Sequence, residues 1–268
     1  MSKVKFTEAL KKEYESLFNS CNIRPEKASA VNEIVSKIVV NINRYQSVGE
    51  ATGIPWYFIA VIHNMEASLN FNKHLHNGDP LTGRTIQVPA GRPLKGSPPF
   101  TWEVSAIDAL TLKKLGPQTD WSLAGVLYQL EGYNGWGYRL YHPYVPSPYL
   151  WSFSNHYNSG KYVADGTWSD SAISKQCGAA VILRRMAETD IIEFADKPIP
   201  APDSQPLVVR YAVQKPTDAV ILKNAEELQK WLNTFPGIFV KPDGWPGERT
   251  SDAYKKITGV YLPGDPRG

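Results

Sequence analysis

The chain has 268 residues, more than the roughly 100–200 of a typical single domain, so two domains are expected. With 42% hydrophobic and 21% charged residues it carries material for a real core, which excludes a disordered polymer. A formal net charge of +3 and a pI near 8.7 are too mildly basic to argue nucleic-acid binding. No run of about 18 apolar residues is present, so membrane insertion is not expected.

Residues about 6–19 and 26–48 read as amphipathic helices; in the second, Val31, Ile34, Val35, Ile38, Ile42 and Tyr45 recur at three-to-four spacing. Gly53-Ile54-Pro55 restarts the chain, and the spacing predicts a helix over 55–69 that is apolar nearly all round up to His63. Such a helix belongs in the middle of a domain. From Asn70 to Phe100 the periodicity disappears among glycines and prolines, with one short strand suggested at Thr85–Val88. A structureless stretch of this length inside a compact domain is usually functional.

Helices are expected again at about 101–115 and 121–131, then an aromatic, Gly- and Pro-rich stretch over 132–166, then a long helix over about 169–192. Five prolines between 195 and 217 read as a stiff linker with one short strand at Leu207–Val213. A compact segment follows over about 219–262. The expected organisation is a helical domain over 1–194, a linker over 195–217 and a small module over 218–268. Cys21 and Cys177 lie far apart with no metal-ligand spacing, and are read as buried free thiols.

In the last segment Leu228-Gln229-x-x-Leu232-Asn233 precedes Asp243-Gly244-x-x-Gly247-x-x-Thr250-x-x-Ala253. This pattern resembles the peptidoglycan-binding domain type 1 family. Leu228, Trp231, Leu232 and Phe235 form one helical stripe, Tyr254 and Ile257 the facing one, and Asp243-Gly244 a tight turn. The resemblance implies a small three-helix module that anchors the chain to a cell wall.

Glu66 is the candidate acid. It follows Ile59 by seven and Ile62 by four, which sets it on an apolar face near a helix C-terminus. A carboxylate without a partner on such a face costs several kcal/mol to desolvate, so its pKa should rise and the group should keep its proton. A general acid for a glycosidic oxygen needs that property. The bland alternative is a structural carboxylate paired to Arg84, Arg92 or Arg139.

Residues 59–71, with their apolar run, Glu66, Ser68 and nearby Asn70-Phe71, are similar to the catalytic helix of the lysozyme superfamily, especially goose-type lysozymes and lytic transglycosylases. Tyr133-Asn134-Gly135 is similar to a groove-lining motif of those families. The Gly-Leu-Met-Gln stretch that follows the acid in transglycosylases is missing. His74 to Thr85 takes its place, and Asp79 and Thr85 keep the six-residue spacing of the Asp and Thr in phage-type lysozymes. The resemblance implies a mainly α, lysozyme-like fold with a small β or loop excursion.

Its implied activity is cleavage of β-1,4 bonds in peptidoglycan. Glu66 would be the acid, and Asp79 the second carboxylate, activating a water or stabilising the sugar. Thr85, or Thr82, would hold that water. A turn role for Asp79 in Asn77-Gly78-Asp79-Pro80 stays open. Glu103, Glu131, Asp165 and Asp170 are further acids. His74, His76, Tyr133, Asn134, Trp136, Tyr138 and Arg139 are expected to line the groove, the two histidines alternatively to hold the loop.

No metal or other cofactor is expected, and the partner is peptidoglycan or a related amino-sugar polymer bound by a monomer. Residues 1–8 lack the apolar core of a secretory signal, so delivery to the wall is expected through a lysis pore or a dedicated system. Two other readings remain at this stage. One is a lytic transglycosylase or a chitosanase- or chitinase-type enzyme; the other is a wall-binding or phage structural protein without catalysis.

Overall fold

The computed structural model describes residues 4–194, 206–235 and 237–268. Its helices are α1 (Glu8–Asn19), α2 (Ala28–Val40), α3 (Ile42–Thr52), α4 (Trp56–Ala67), α5 (Trp102–Leu112), α6 (Leu123–Asn134), α7 (Gly137–Tyr141), α8 (Pro148–Trp151), α9 (Ala179–Glu188), α10 (Ala219–Leu232) and α11 (Glu248–Thr258). The strands β1 (Lys161–Ala164) and β2 (Thr167–Ser169) form the one sheet among the described residues. The fold is therefore mainly α, as the periodicity leads one to expect. None of these helices is long and apolar enough to cross a membrane.

The chain divides into two compact units, one of residues 1–6 and 22–185, the other of 7–21 and 186–268. Helix α1 thus belongs with the C-terminal segment, whereas the sequence groups it with residues up to 194. Most of the proline-rich stretch, 195–205, lies outside the described residues.

The first unit is organised around α4. Every side chain from Phe58 to Met65 on this helix is buried. Tyr45 of α3, His63 of α4, Phe71 and Trp102 of α5 pack ring against ring, with centroids 4.6 to 5.9 Å apart. Full burial of each large apolar side chain is worth about 1.5–3 kcal/mol. Arg44 lays its guanidinium 3.9 Å from the Phe71 ring centroid and pairs with Glu103 at 2.6 Å, closing this cluster from the side. Helices α5 and α6 begin at Thr101 and Ser122, whose side chains accept from the N–H groups of Val104 and Gly125.

Several elements differ from the sequence reading, each for a local reason. The helix expected over 26–48 is interrupted at Asn41, whose side-chain amide donates to the Lys37 carbonyl and competes with the helical ladder. Residues 85–88 form no strand. Thr85 instead bonds to Gly91 and Arg92 within its own loop, while Ile86 and Val88 stand in solvent.

The helix expected from 169 begins only at Ala179. The residues ahead of it follow a hairpin that pairs Lys161 with Ser169, Tyr162 with Trp168 and Ala164 with Thr167. Asp165-Gly166 turns that hairpin, with Gly166 at φ +68°. Residues 207–213 form no strand and hold to their unit by two backbone bonds, from Tyr211 to Pro263 and from Ala212 to Pro246.

In the second unit the motif residues have visible physical roles. Gln229, buried on α10, donates to Asp243, to the Trp245 carbonyl and to Thr250, and accepts from the Gly244 N–H at 2.9 Å. Asn233 clamps the backbone of Val240 through both N–H and C=O, at 2.7 and 2.6 Å. Gly244 has φ +75°, and a Cβ there would lie 2.8 Å from the Leu222 carbonyl oxygen, so glycine is required. Around these polar clamps Leu228, Leu232, Phe235, Ile238, Val240, Ala253 and Tyr254 form the apolar core.

Candidate functional site

Glu66 lies in the last turn of α4, which closes with Ser68 and Leu69 both in the left-handed region, at φ 51° and 58°. The Gln176 side chain donates to the Met65 carbonyl at 2.8 Å, giving this end of the helix a partner from a distant loop. The Glu66 carboxyl is half-buried, and Oε1 accepts a hydrogen bond from Tyr149 Oη at 2.9 Å. Tyr149 sits on α8, whose first residue is Pro148, placed where a missing N–H costs nothing.

Burial raises the Glu66 pKa; the Tyr149 hydrogen bond and the positive charge of Lys113 pull it back in part. Burial also raises the phenols of Tyr149 and Tyr133, and the Glu66 charge raises them further. The three groups therefore form an acid flanked by two neutral phenols. Lys113, at the end of α5, holds its ammonium 4.4 Å from the Tyr133 ring centroid.

The cations proposed as partners for a structural Glu66 are occupied elsewhere. Arg139 donates through Nε and Nη2 to Glu131, at 3.1 and 2.8 Å. Arg92 approaches Asp108 at 3.4 Å, and Arg84 donates to the Gly96 carbonyl at 2.7 Å. Among the described residues Glu66 has no ion-pair partner.

A cavity of about 350 Å³ opens beside this acid, walled by Asn134, Tyr138, Tyr149, Lys161, Tyr162 and Gln176, among others. Tyr149 belongs to both places, touching Glu66 and lining the cavity. Of the groove candidates named from sequence, Tyr133 faces Glu66 electrostatically, and Asn134 and Tyr138 line the cavity. Trp136 is instead a buried packing residue against Tyr128, with ring centroids 4.8 Å apart. Arg139 is consumed by its pair with Glu131.

Asp79 and Thr85 lie on the 70–100 loop, where Asp79 Oδ2 and the Thr85 hydroxyl bond to the loop itself. Asp79 Oδ2 accepts from Ile86 N–H at 2.8 Å, Gln87 N–H at 3.0 Å and the Asn77 amide at 3.0 Å. Those backbone bonds hold its carboxyl below the usual carboxylate range. Thr85 Oγ1 donates to the Pro89 carbonyl at 2.5 Å and accepts from the Arg92 N–H at 2.9 Å. Thr82 is exposed.

His74 is fully buried between Ser105 and the Gly83 carbonyl, both at 2.8 Å. The closed-off side chain of His76 bonds Asp108 at 2.8 Å, and burial lowers its pKa. Geometry gives these two histidines the loop-holding role in place of the groove. The loop does reach the acid's helix: Gly78, at φ +80°, brings its backbone close enough that a Cβ would sit 3.7 Å from the Glu66 carbonyl oxygen.

Sequence reasoning missed Tyr149, Gln176, Lys161 and Tyr162. The Asp-Gly turn between aromatic residues was the available signal for the hairpin that carries Lys161 and Tyr162. Tyr149 and Gln176 reach the site from 83 and 111 residues along the chain, a separation no local pattern encodes.

Glu103 and Glu131, the other candidate acids in helices, are paired with Arg44 and Arg139. Asp165 lies exposed at the hairpin turn, and Asp170 accepts from the Trp168 indole at 2.8 Å. Among the described residues no three His, Cys, Asp or Glu side chains gather as metal ligands, and both cysteines are buried thiols not joined in a disulfide. Comparison of the chain with protein-family models, with curated proteins and with solved structures finds no match.

Proposed function

We propose that this chain cleaves β-1,4 glycosidic bonds of peptidoglycan, with Glu66 as the general acid. The observation that carries the reading is the state of that carboxyl: half-buried, raised in pKa by burial, paired with no cation and held by the neutral phenol of Tyr149 beside a cavity. Burial biases such a group toward the protonated form that a general acid needs. As the bond breaks, the proton passes from Glu66 to the departing sugar oxygen, and the anomeric carbon develops positive charge next to the new carboxylate. The lysozyme-like description of the helical unit and the wall-anchoring role of the C-terminal module belong to the same proposal. A module that keeps the enzyme on its polymer raises the local concentration of cleavable strands. Action at the bacterial cell wall follows from the substrate.

The hydrogen bonding of Asp79 favours a second reading of the chemistry. Its Oδ2 is taken by two backbone N–H groups and an amide. Glu66 would then serve as sole acid and base, as in a lytic transglycosylase, and a hydroxyl of the same sugar, not water, would attack the anomeric carbon. Digestion of purified peptidoglycan with mass analysis of the ends separates the two, since hydrolysis gives reducing ends and transglycosylation gives anhydro ends. Glu66→Gln must abolish either product. Wall clearing that survives this change rejects the catalytic assignment, and a wild-type chain that cuts no polymer leaves a wall-binding protein. Digestion of chitin or chitosan in preference to peptidoglycan would move the enzyme to those substrates.

A further inference from the structure

The cavity beside Glu66 has an unusual charge balance. Lys161, on β1, is the one charged side chain among its described lining residues; the others include Asn134, Ser174, Gln176 and three tyrosines. Lys161 is half-buried, and among the described residues no carboxylate lies within ion-pair distance of it. The candidate acid, Glu66, is biased by burial toward its neutral form. Lys113 adds a second positive charge on the Glu66–Tyr133 side. A hairpin pinned by its Tyr162–Trp168 pair, with Trp168 stacked on His142 at 3.4 Å, holds Lys161 at the cavity wall.

We infer that Lys161 is a specificity residue that receives a carboxylate of the substrate, so that the cavity selects amino-sugar chains bearing lactyl or peptide carboxylates over neutral chitin-like or cationic chitosan-like chains. This rests on the glycan-cleaving reading above and deepens it. A lone cation in a partly enclosed site attracts an anionic group and repels a protonated amine, and the preference is weakened by salt. Neutral amides and phenols along the same wall suit the acetamido groups and hydroxyls that all these polymers share.

Affinity can be read in the full-length chain carrying Glu66→Gln, so that ligand is not consumed. The probes are a soluble N-acetylglucosaminyl–N-acetylmuramyl tetrasaccharide with free peptide carboxylates, the same molecule with its carboxylates converted to methyl amides, and chitotetraose. The free acid is expected to bind roughly fivefold more tightly than its amide at low salt, because the receiving cation is half-exposed. Lys161→Gln should erase that difference, Lys161→Arg should keep it, and chitotetraose affinity should respond to neither change.

The inference is overturned if the acid and amide bind alike, if Lys161→Gln leaves the preference in place, or if no saccharide binds. Loss of the glycan-cleaving reading would appear separately, as wall digestion insensitive to Glu66→Gln. That result leaves the affinity comparison interpretable.

Discussion

The Tyr149 hydroxyl should accelerate the reaction through a hydrogen bond that strengthens as Glu66 gives up its proton, and Tyr149→Phe removes that bond alone. Before reaction the phenol donates to an oxygen of a neutral acid, an interaction worth about 0.5–1.5 kcal/mol. In the transition state the acceptor is becoming a carboxylate, and a bond to a charged group is worth about 1.5–3 kcal/mol. Only the difference, about 1–1.5 kcal/mol, lowers the barrier, which corresponds to a fall in kcat of about five- to fifteenfold with KM little changed. The same bond lowers the Glu66 pKa, so its removal raises that pKa further. A general acid loses activity as pH rises through its pKa, and the alkaline limb of the kcat profile should therefore move to higher pH in Tyr149→Phe. The assay is release of soluble muropeptides from purified wall across pH 4 to 9. An unchanged kcat, or an alkaline limb displaced to lower pH, refutes the role given to this phenol.

Glu66→Gln should abolish wall cleavage while stabilising the fold at pH 8. Burial raises the carboxyl's pKa in the folded chain, so stability is lost as pH climbs from the ordinary carboxylate range through the folded value; the neutral amide escapes that loss. Melting curves should show the variant's advantage at pH 8 and little of it at pH 4. Asp79→Asn should lower the melting temperature at neutral pH, because a neutral amide oxygen accepts the same three hydrogen bonds more weakly than a carboxylate does. The deficit should shrink in acid, as the wild-type carboxyl protonates below its depressed pKa. If Glu66 is the sole acid and base, Asp79→Asn keeps at least a tenth of the wild-type turnover in a wall-digestion assay; a fall to the Glu66→Gln level restores Asp79 as the second carboxylate. Gln229→Ala should cost about 2–4 kcal/mol in denaturant unfolding of the C-terminal unit, because it strands the buried Gly244 N–H and removes three further hydrogen bonds.

What the amino-acid order discloses depends on how far each interaction reaches along the chain. Helix α4 was readable because its apolar run is continuous, and Glu66 stood out as the acid interrupting it. The polar clamps of Gln229 and Asn233 were readable as a spacing, since their partners lie 7 to 21 residues away. The interruption at Asn41 was concealed because the apolar positions continue in phase across it. The roles of Asp79 and Thr85 could not be taken from spacing, because a six-residue interval is equally well made by a loop that bonds to itself. Tyr149, Gln176 and Lys161 arrive from segments with no periodicity, and only the folded chain brings them to one place.

The unpaired state of Glu66 is a property of the surrounding ion pairs as much as of the acid. Four arginines on neighbouring segments are each held by another group: Arg44 by Glu103, Arg84 by a backbone carbonyl, Arg92 by Asp108 and Arg139 by Glu131. Any of them, if released and able to reach Glu66, would pull its pKa down and bias the acid toward its ionised form. Under the proposed function, Glu131 and Asp108 would matter to the chemistry without touching substrate, since they keep cations occupied. Glu131→Gln supplies the test, because it loosens Arg139 while leaving the acid and its phenols in place. Turnover should fall with an alkaline limb displaced to lower pH, the opposite displacement to that of Tyr149→Phe. A limb that stays where it was would show that Arg139 cannot reach the acid and that its pair with Glu131 serves packing alone.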